Sequence, residues 1–247
     1  MKRFYFILLA TLLLPMLAVA KIPDEEDILR KIIDRSSPYF YTNLMMRYNT
    51  LEQLNDEDYH YLYYGYAYSE SYRPFATNEA LDELYTTMAT IDMNRPVKAD
   101  LDHIITTCNR AMLIDPFNPT VLNMLVFAYG NSGDKAKEEA YFRHLNGILE
   151  TIKASGDGRG EKYPMHIIMF SHAIELMASM GLECREAQIV SRTCEYIPLV
   201  EPRRVPDGKI KGFYFDYSRI YRNKPEDVTF KKKRTWQFNN LGVKEYK

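Results

Sequence analysis

The chain has 247 residues, 46% of them hydrophobic and 26% charged, with 32 basic against 33 acidic side chains. So even a balance excludes an overall field that would draw the protein to nucleic acid or an anionic membrane, and the apolar content is ample for one large core or two small ones. Cys108, Cys184 and Cys194 have no C-x-x-C spacing, which excludes the common zinc-site pattern.

Lys2 and Arg3 precede an apolar run over residues 4–17, and Ala18-Val19-Ala20 follows as a small-x-small site before Lys21. These are the three parts of a secretory signal peptide, with cleavage expected after Ala20. Residues 4–20 are nearly long enough to span a bilayer, but Pro15 and the small residues favour cleavage over anchoring. No Cys follows the run, so an acylated lipoprotein is excluded, and no second long apolar segment occurs. Removing residues 1–20 takes away two basic residues and no acid, leaving 30 basic against 33 acidic. The expected location is periplasmic or secreted, where Cys184 and Cys194, the closest pair in sequence, could form a disulfide.

Asp24-Glu25-Glu26-Asp27 ahead of Ile28, Leu29, Ile32 and Ile33 predicts a first helix with acids at its positive end. Ser37-Pro38 restarts the chain, and Tyr41, Leu44, Met45 and Tyr48 share a face. Asn55-Asp56-Glu57-Asp58 then opens a helix dense in tyrosine, with Tyr59, Tyr63 and Tyr66 on one side and Tyr72 beyond it. Two readings are open: an aromatic groove for a sugar, peptide or planar ligand, or rings packed between helices with their hydroxyls bonded at the edge. Thr77 or Asn78 can cap a helix carrying Ala80, Leu81, Leu84, Tyr85 and Met88. Arg95-Pro96 opens another, through Leu101, Ile104, Ile105, Cys108 and Met112.

Residues 101–151 hold two apolar helical segments broken at Asp115-Pro116-Phe117-Asn118-Pro119 and at Gly130-Asn131-Ser132-Gly133-Asp134. Ala111 with Pro116, then Leu122, Leu125, Tyr129 and Gly133-Asp134, resembles the helix hairpin of the tetratricopeptide repeat. Val126, Glu138 and His144 depart from that pattern, and no second copy recurs at a fixed period. Ser155-Gly156-Asp157-Gly158-Arg159-Gly160 ends the helical part as a flexible boundary, since it lacks the Lys-Ser/Thr of a phosphate loop.

After Pro164, residues 166–170 read as a strand and Ser171 as the cap of a short helix ending at Gly181. Residues 188–200 read as a second strand, with Pro198 marking an edge, and Pro206-Asp207-Gly208 as a hairpin turn into a return strand over residues 210–217. Lys231-Lys232-Lys233-Arg234 lies in a polar tail. Glu57-Asp58-Tyr59, Leu62-Tyr63-Tyr64-Gly65, Tyr72-Arg73-Pro74-Phe75, Ser155-Gly156-Asp157-Gly158, Ser171-His172, Cys194-Glu195-Tyr196 and Gly212-Phe213-Tyr214-Phe215-Asp216 together resemble an uncharacterised domain family of exported proteins from Bacteroides-like bacteria. The resemblance covers about residues 25–220 and implies export and one domain unit, with no activity to carry over.

The expected fold is α+β, mainly α. A tetratricopeptide-like platform over residues 21–155 follows the signal peptide of residues 1–20, then a small antiparallel sheet with a short helix over 156–220 and a tail over 221–247. His172 and Glu175, three apart on one helix, could be drawn as an acid–base pair, but no nucleophile elbow accompanies them and no second histidine completes a zinc motif. The expected function is a non-catalytic exported interaction or scaffold protein for a protein or peptide partner, with no cofactor, no metal and no nucleic acid. The rivals are an enzyme using His172, Glu175 or a tyrosine, and a carbohydrate- or peptide-binding module using Tyr59, Tyr63, Tyr66 and Tyr72.

Overall fold

The computed structural model describes residues 20–206 and 208–222. The expected signal peptide short of Ala20, the turn residue Asp207 and the tail from residue 223, with its Lys231–Arg234 run, lie outside the described residues. The order of elements is α1 (Glu25–Ile33), α2 (Tyr41–Asn49), α3 (Asp56–Tyr66), α4 (Glu79–Thr90), α5 (Lys98–Ala111), α6 (Pro119–Ser132), α7 (Lys135–Ala154), β1 (Met165–His166), α8 (Phe170–Ser179), β2 (Gln188–Ile189), β3 (Cys194–Val205), β4 (Gly208–Asp216) and α9 (Ser218–Arg222). The protein is α+β and mainly helical, as expected. Among the described residues no helix is long and apolar enough to cross a membrane.

Local chemistry sets the helix ends. The Asp24 side chain accepts from the Asp27 amide at the start of α1, and three acids fill the first turn. Asn55 and Asp58 cap each other's backbone at the start of α3. Asn118 caps α6 with Pro119 at its first position, and α6 ends on Gly133 at φ +84°, a left-handed conformation that suits glycine. Asp134 then caps α7.

The helix α3 organises the larger core. Its residues from Asp58 to Tyr66 are all buried, so it is enclosed on every side rather than presenting one apolar face. A second core of Leu84, Leu101, Ile104, Cys108, Val121 and Leu125 joins α4, α5 and α6. The larger one runs from Ile28 through α2, α3 and α7 to Ile167, Leu176, Phe215 and Ile220, so a single core crosses the boundary near residue 155. At Gly147 the Tyr59 ring lies so close that a Cβ would sit 2.3 Å from Cε2, which lets α7 meet α3 directly.

The sheet departs from expectation. Its order is β1-β4-β3-β2, and β1 runs parallel to β4, so it is mixed rather than antiparallel. Of the run 166–170 expected as a strand only His166 is in one, the two-residue β1. The Ile168 carbonyl instead accepts from the Tyr72 hydroxyl at 2.5 Å, and α8 begins at Phe170. Met169, not Ser171, holds the cap position of α8 and makes no side-chain cap. The expected strand over residues 188–200 is two strands, β2 and the start of β3, and Pro198 sits in the inner strand β3 opposite Gly212. Cys184 bridges Leu199, five residues along extended β3 from Cys194, a span of about 16 Å. That is far beyond disulfide reach, and both thiols are free.

Candidate functional site

All six side chains singled out by the sequence are buried, Tyr59, Tyr63, Tyr66 and Tyr72 at 4%, 0%, 2% and 4% exposure, and His172 and Glu175 at 0% and 8%. The tyrosines form no exposed aromatic face. Their hydroxyls are engaged instead: Tyr59 with His144 Nδ1 at 2.8 Å, Tyr63 with His172 Nδ1 at 2.8 Å, and Tyr66 with the Ser71 and Ile114 carbonyls at 3.2 and 3.1 Å. The carbohydrate reading of this helix therefore loses the residues it rested on.

Around His172 the structure builds a polar line that the sequence did not show. His172 Nε2 lies 3.0 Å from Asp115 Oδ2, so phenol, imidazole and carboxylate stand in series. Burial depresses the imidazole, but the Asp115 carboxylate outweighs it and the net shift is upward. Asp115 also accepts from the Phe117 amide and the Asn118 side chain, so it shapes the α5–α6 turn while facing α8. The order resembles nucleophile, base and orienting acid, yet with both Tyr63 and His172 at 0% exposure a substrate cannot reach the phenol in the folded protein. The line cross-links α3, the α5–α6 turn and α8.

Glu175 lies one turn along α8 from His172 but does not contact it through a hydrogen bond. Its Oε1 accepts from Tyr85 at 3.3 Å and Oε2 has no hydrogen-bond partner among the described residues. Burial raises its pKa. The sequence-level pair of His172 with Glu175 is thus replaced by His172 with Asp115. The signal was present only as an acid inside a Pro-rich break, where a buried carboxylate is unusual.

The open site lies elsewhere. A groove of about 880 Å3 runs between α2, the end of α3, the end of α5 and α7. Tyr41, Tyr48, Tyr66 and Tyr141 line it with Met45, Met46 and Met112, and Thr42, Asn49 and Asn109 supply neutral polar groups. No Asp, Glu, Lys or Arg is among the lining residues. Leu113 and Met46 flank it at 77% and 57% exposure. His144 is the one ionisable base at its floor, and burial pushes that imidazole down to about 4. The Tyr48 carbonyl, an acceptor only, lies 3.0 Å from Nε2, which fixes the proton there and leaves Nδ1 to accept from Tyr59. The groove is uncharged at neutral pH.

Two irregularities border it. Leu51 has φ +60°, a left-handed conformation costly for a branched side chain, and the Tyr41 hydroxyl is buried without a hydrogen-bond partner among the described residues. Of the six residues marked by the sequence, only Tyr66 reaches this groove. Among the described residues no three His, Cys, Asp or Glu side chains converge to hold a metal ion.

Fold and groove together define a mainly helical α+β protein with a sealed tyrosine–histidine interior and one uncharged cleft. The chain belongs to a family described as a domain of unknown function, DUF4919, whose model matches residues 26–226. No curated protein and no solved structure matches it.

Proposed function

We propose that this protein is an exported, non-catalytic interaction protein that receives an uncharged, largely apolar segment of a protein or peptide partner in the groove between α2, α3, α5 and α7. The observation that carries this reading is the lining: four tyrosines and three methionines around about 880 Å3 with no ionic side chain. Pockets of this size and composition bind by apolar burial with a few orienting polar groups. Methionine adapts to irregular side chains, as surfaces that accept peptide helices require. The enclosure of the Tyr63–His172–Asp115 line removes the most nearly catalytic grouping from contact with any substrate. Export is supported by the signal-peptide pattern over residues 1–20.

A photo-crosslinking residue placed at Leu113, at the groove mouth, tests this in the producing cell. A control at Ile189, 83% exposed on β2, reports non-specific encounters. The expected result is a discrete protein or peptide adduct from Leu113, absent from Ile189 and lost when Met112→Glu places a charge in the groove. Equal adducts from both positions, or a small molecule as the sole adduct at Leu113, would overturn the proposal.

A further inference from the structure

The β3–β4 hairpin carries a second concavity, of about 270 Å3, built quite differently from the groove. Tyr196 and Tyr214 are cross-strand partners with ring centroids 4.8 Å apart and tilted by 41°. The Tyr196 ring lies across Gly212, where a Cβ would come within 2.6 Å of its Cζ and Oη. Only the missing side chain allows the ring to lie flat on the strand, so the pair forms a platform. Arg159, Lys209 and Lys211 stand around it, and among the described residues no acidic side chain lines the concavity.

The local backbone holds these groups in place. The Tyr214 amide donates to the Gly158 carbonyl at 2.8 Å, and Asp157 accepts from the Arg159 amide at 2.8 Å, which fixes the loop carrying Arg159 beside the platform. On the other side, β3 leaves β4 after Pro198 and rejoins it at Arg203, with the Val200 amide donating to Glu183 in between. A bulge of this kind turns the strand and re-aims the residues beyond it. The exposed arm with Lys209 and Lys211 begins there.

The polar groups of this cluster are not tied up by other described residues. The hydroxyls of the α3 tyrosines are bonded inside the protein, whereas those of Tyr196 and Tyr214 have no partner among the described residues. Arg30, Arg47, Arg110 and Lys153 are each held by an acid, whereas Arg159, Lys209 and Lys211 have no ion pair among the described residues. Two tilted tyrosine rings, with hydroxyls unbonded among the described residues, thus stand beside three cations.

We infer that this is a binding site for an acidic sugar, a pyranose that carries a carboxylate on its ring. A pyranose stacks its C–H face on tyrosine rings, phenols hydrogen-bond its hydroxyls, and the planar Arg159 fork matches a carboxylate in two parallel hydrogen bonds. One such ring unit engages platform and cations together within the small volume. A nucleic acid fits less well, because the chain as a whole carries no positive excess to hold a phosphate backbone. The site is independent of the helical groove and stands or falls without it.

Titration of the purified protein with galacturonate oligosaccharides, followed calorimetrically, tests the inference against two controls, neutral malto-oligosaccharides and inorganic polyphosphate. Binding of the galacturonate alone is expected, weakening as salt is added. Tyr196→Ala should reduce affinity by roughly tenfold or more. The double variant Lys209→Gln/Lys211→Gln should do the same with an unchanged melting temperature, because both lysines lie on the exposed arm and fold without ion pairs. Equal binding of polyphosphate, no binding of galacturonate, or affinity indifferent to the lysine variant would each overturn the assignment.

Discussion

Replacing His144 with glutamine should remove a specific part of the protein's acid sensitivity. In the folded protein the imidazole is held neutral, its pKa pushed by burial to about 4 from an ordinary 6.5. A histidine lowered on folding contributes stability that is fully present above about pH 6.5 and is lost as the pH falls toward 4. That interval corresponds to about 3 kcal/mol in all, of which about 2 kcal/mol is gone by pH 5. A glutamine can reproduce both native bonds, its carbonyl accepting from Tyr59 and its amide donating to the Tyr48 carbonyl, but it does not titrate. His60 is also held near 4 by burial, yet it is present in both proteins and cancels in the difference. Urea unfolding at pH 7.5, 6 and 5, with the two-state criterion checked at each, gives the comparison. The expected outcome is a parent that loses about 2 kcal/mol more than the variant between pH 7.5 and pH 5. Parallel losses would show that the imidazole is not held neutral, and with it would go the claim that the groove floor is uncharged.

Gly147→Ala should destabilise the protein by about 1–3 kcal/mol or prevent folding, because the new Cβ meets the Tyr59 ring at 2.3 Å and that ring is buried with its hydroxyl bonded to His144; a melting temperature within a degree of the parent would refute the close packing. Glu175→Gln should have the opposite sign at neutral pH. A carboxyl whose pKa is raised by burial weakens the fold as pH climbs through the gap between its unfolded and folded values, so the neutral amide should be the more stable form at pH 7.5 and lose that advantage at pH 4. An advantage that persists unchanged at pH 4 would mean that shape, not charge, decides the difference.

The parts of this fold that could be read from sequence are those set within a few residues. The Asn55–Asp58 box, Asn118-Pro119 and Gly133 mark the ends of their helices because capping involves neighbours only. Burial of α3 could not be read this way. Tyrosine suits a wet helix face and a sealed interior equally well, and what decides between them is a partner 85 residues away for Tyr59 and 109 away for Tyr63. The same applies to His172, where spacing pointed to Glu175 on the same helix and the fold supplied Asp115 from a turn 57 residues earlier. Parallel pairing of β1 with β4 is likewise invisible to period-two patterns, since it joins Met165 to Phe215. The groove gathers Tyr41, Met112 and Tyr141, which no spacing rule would group.

The use of tyrosine explains how irregular chain can be buried here at all. Carbonyls of connecting segments have no helix or sheet partner, and each one left buried and unbonded costs about 1–3 kcal/mol. Tyr48 bonds the Pro116 carbonyl, Tyr66 that of Ile114 and Tyr72 that of Ile168. Phenylalanine at the same positions would fill the same volume and leave these carbonyls unsatisfied. The interior tyrosines thus act as fasteners between elements, and a hydroxyl committed in that way is not available to a ligand. Tyr48 and Tyr66 are fastened like this and offer the groove only ring surface, whereas the Tyr41 hydroxyl at the groove, and those of Tyr196 and Tyr214 on the hairpin, have no partner among the described residues. Dense tyrosine in this sequence therefore marks two different duties, and it is hydrogen-bond occupancy, not aromatic content, that separates hydroxyls spent on structure from those free to recognise something else.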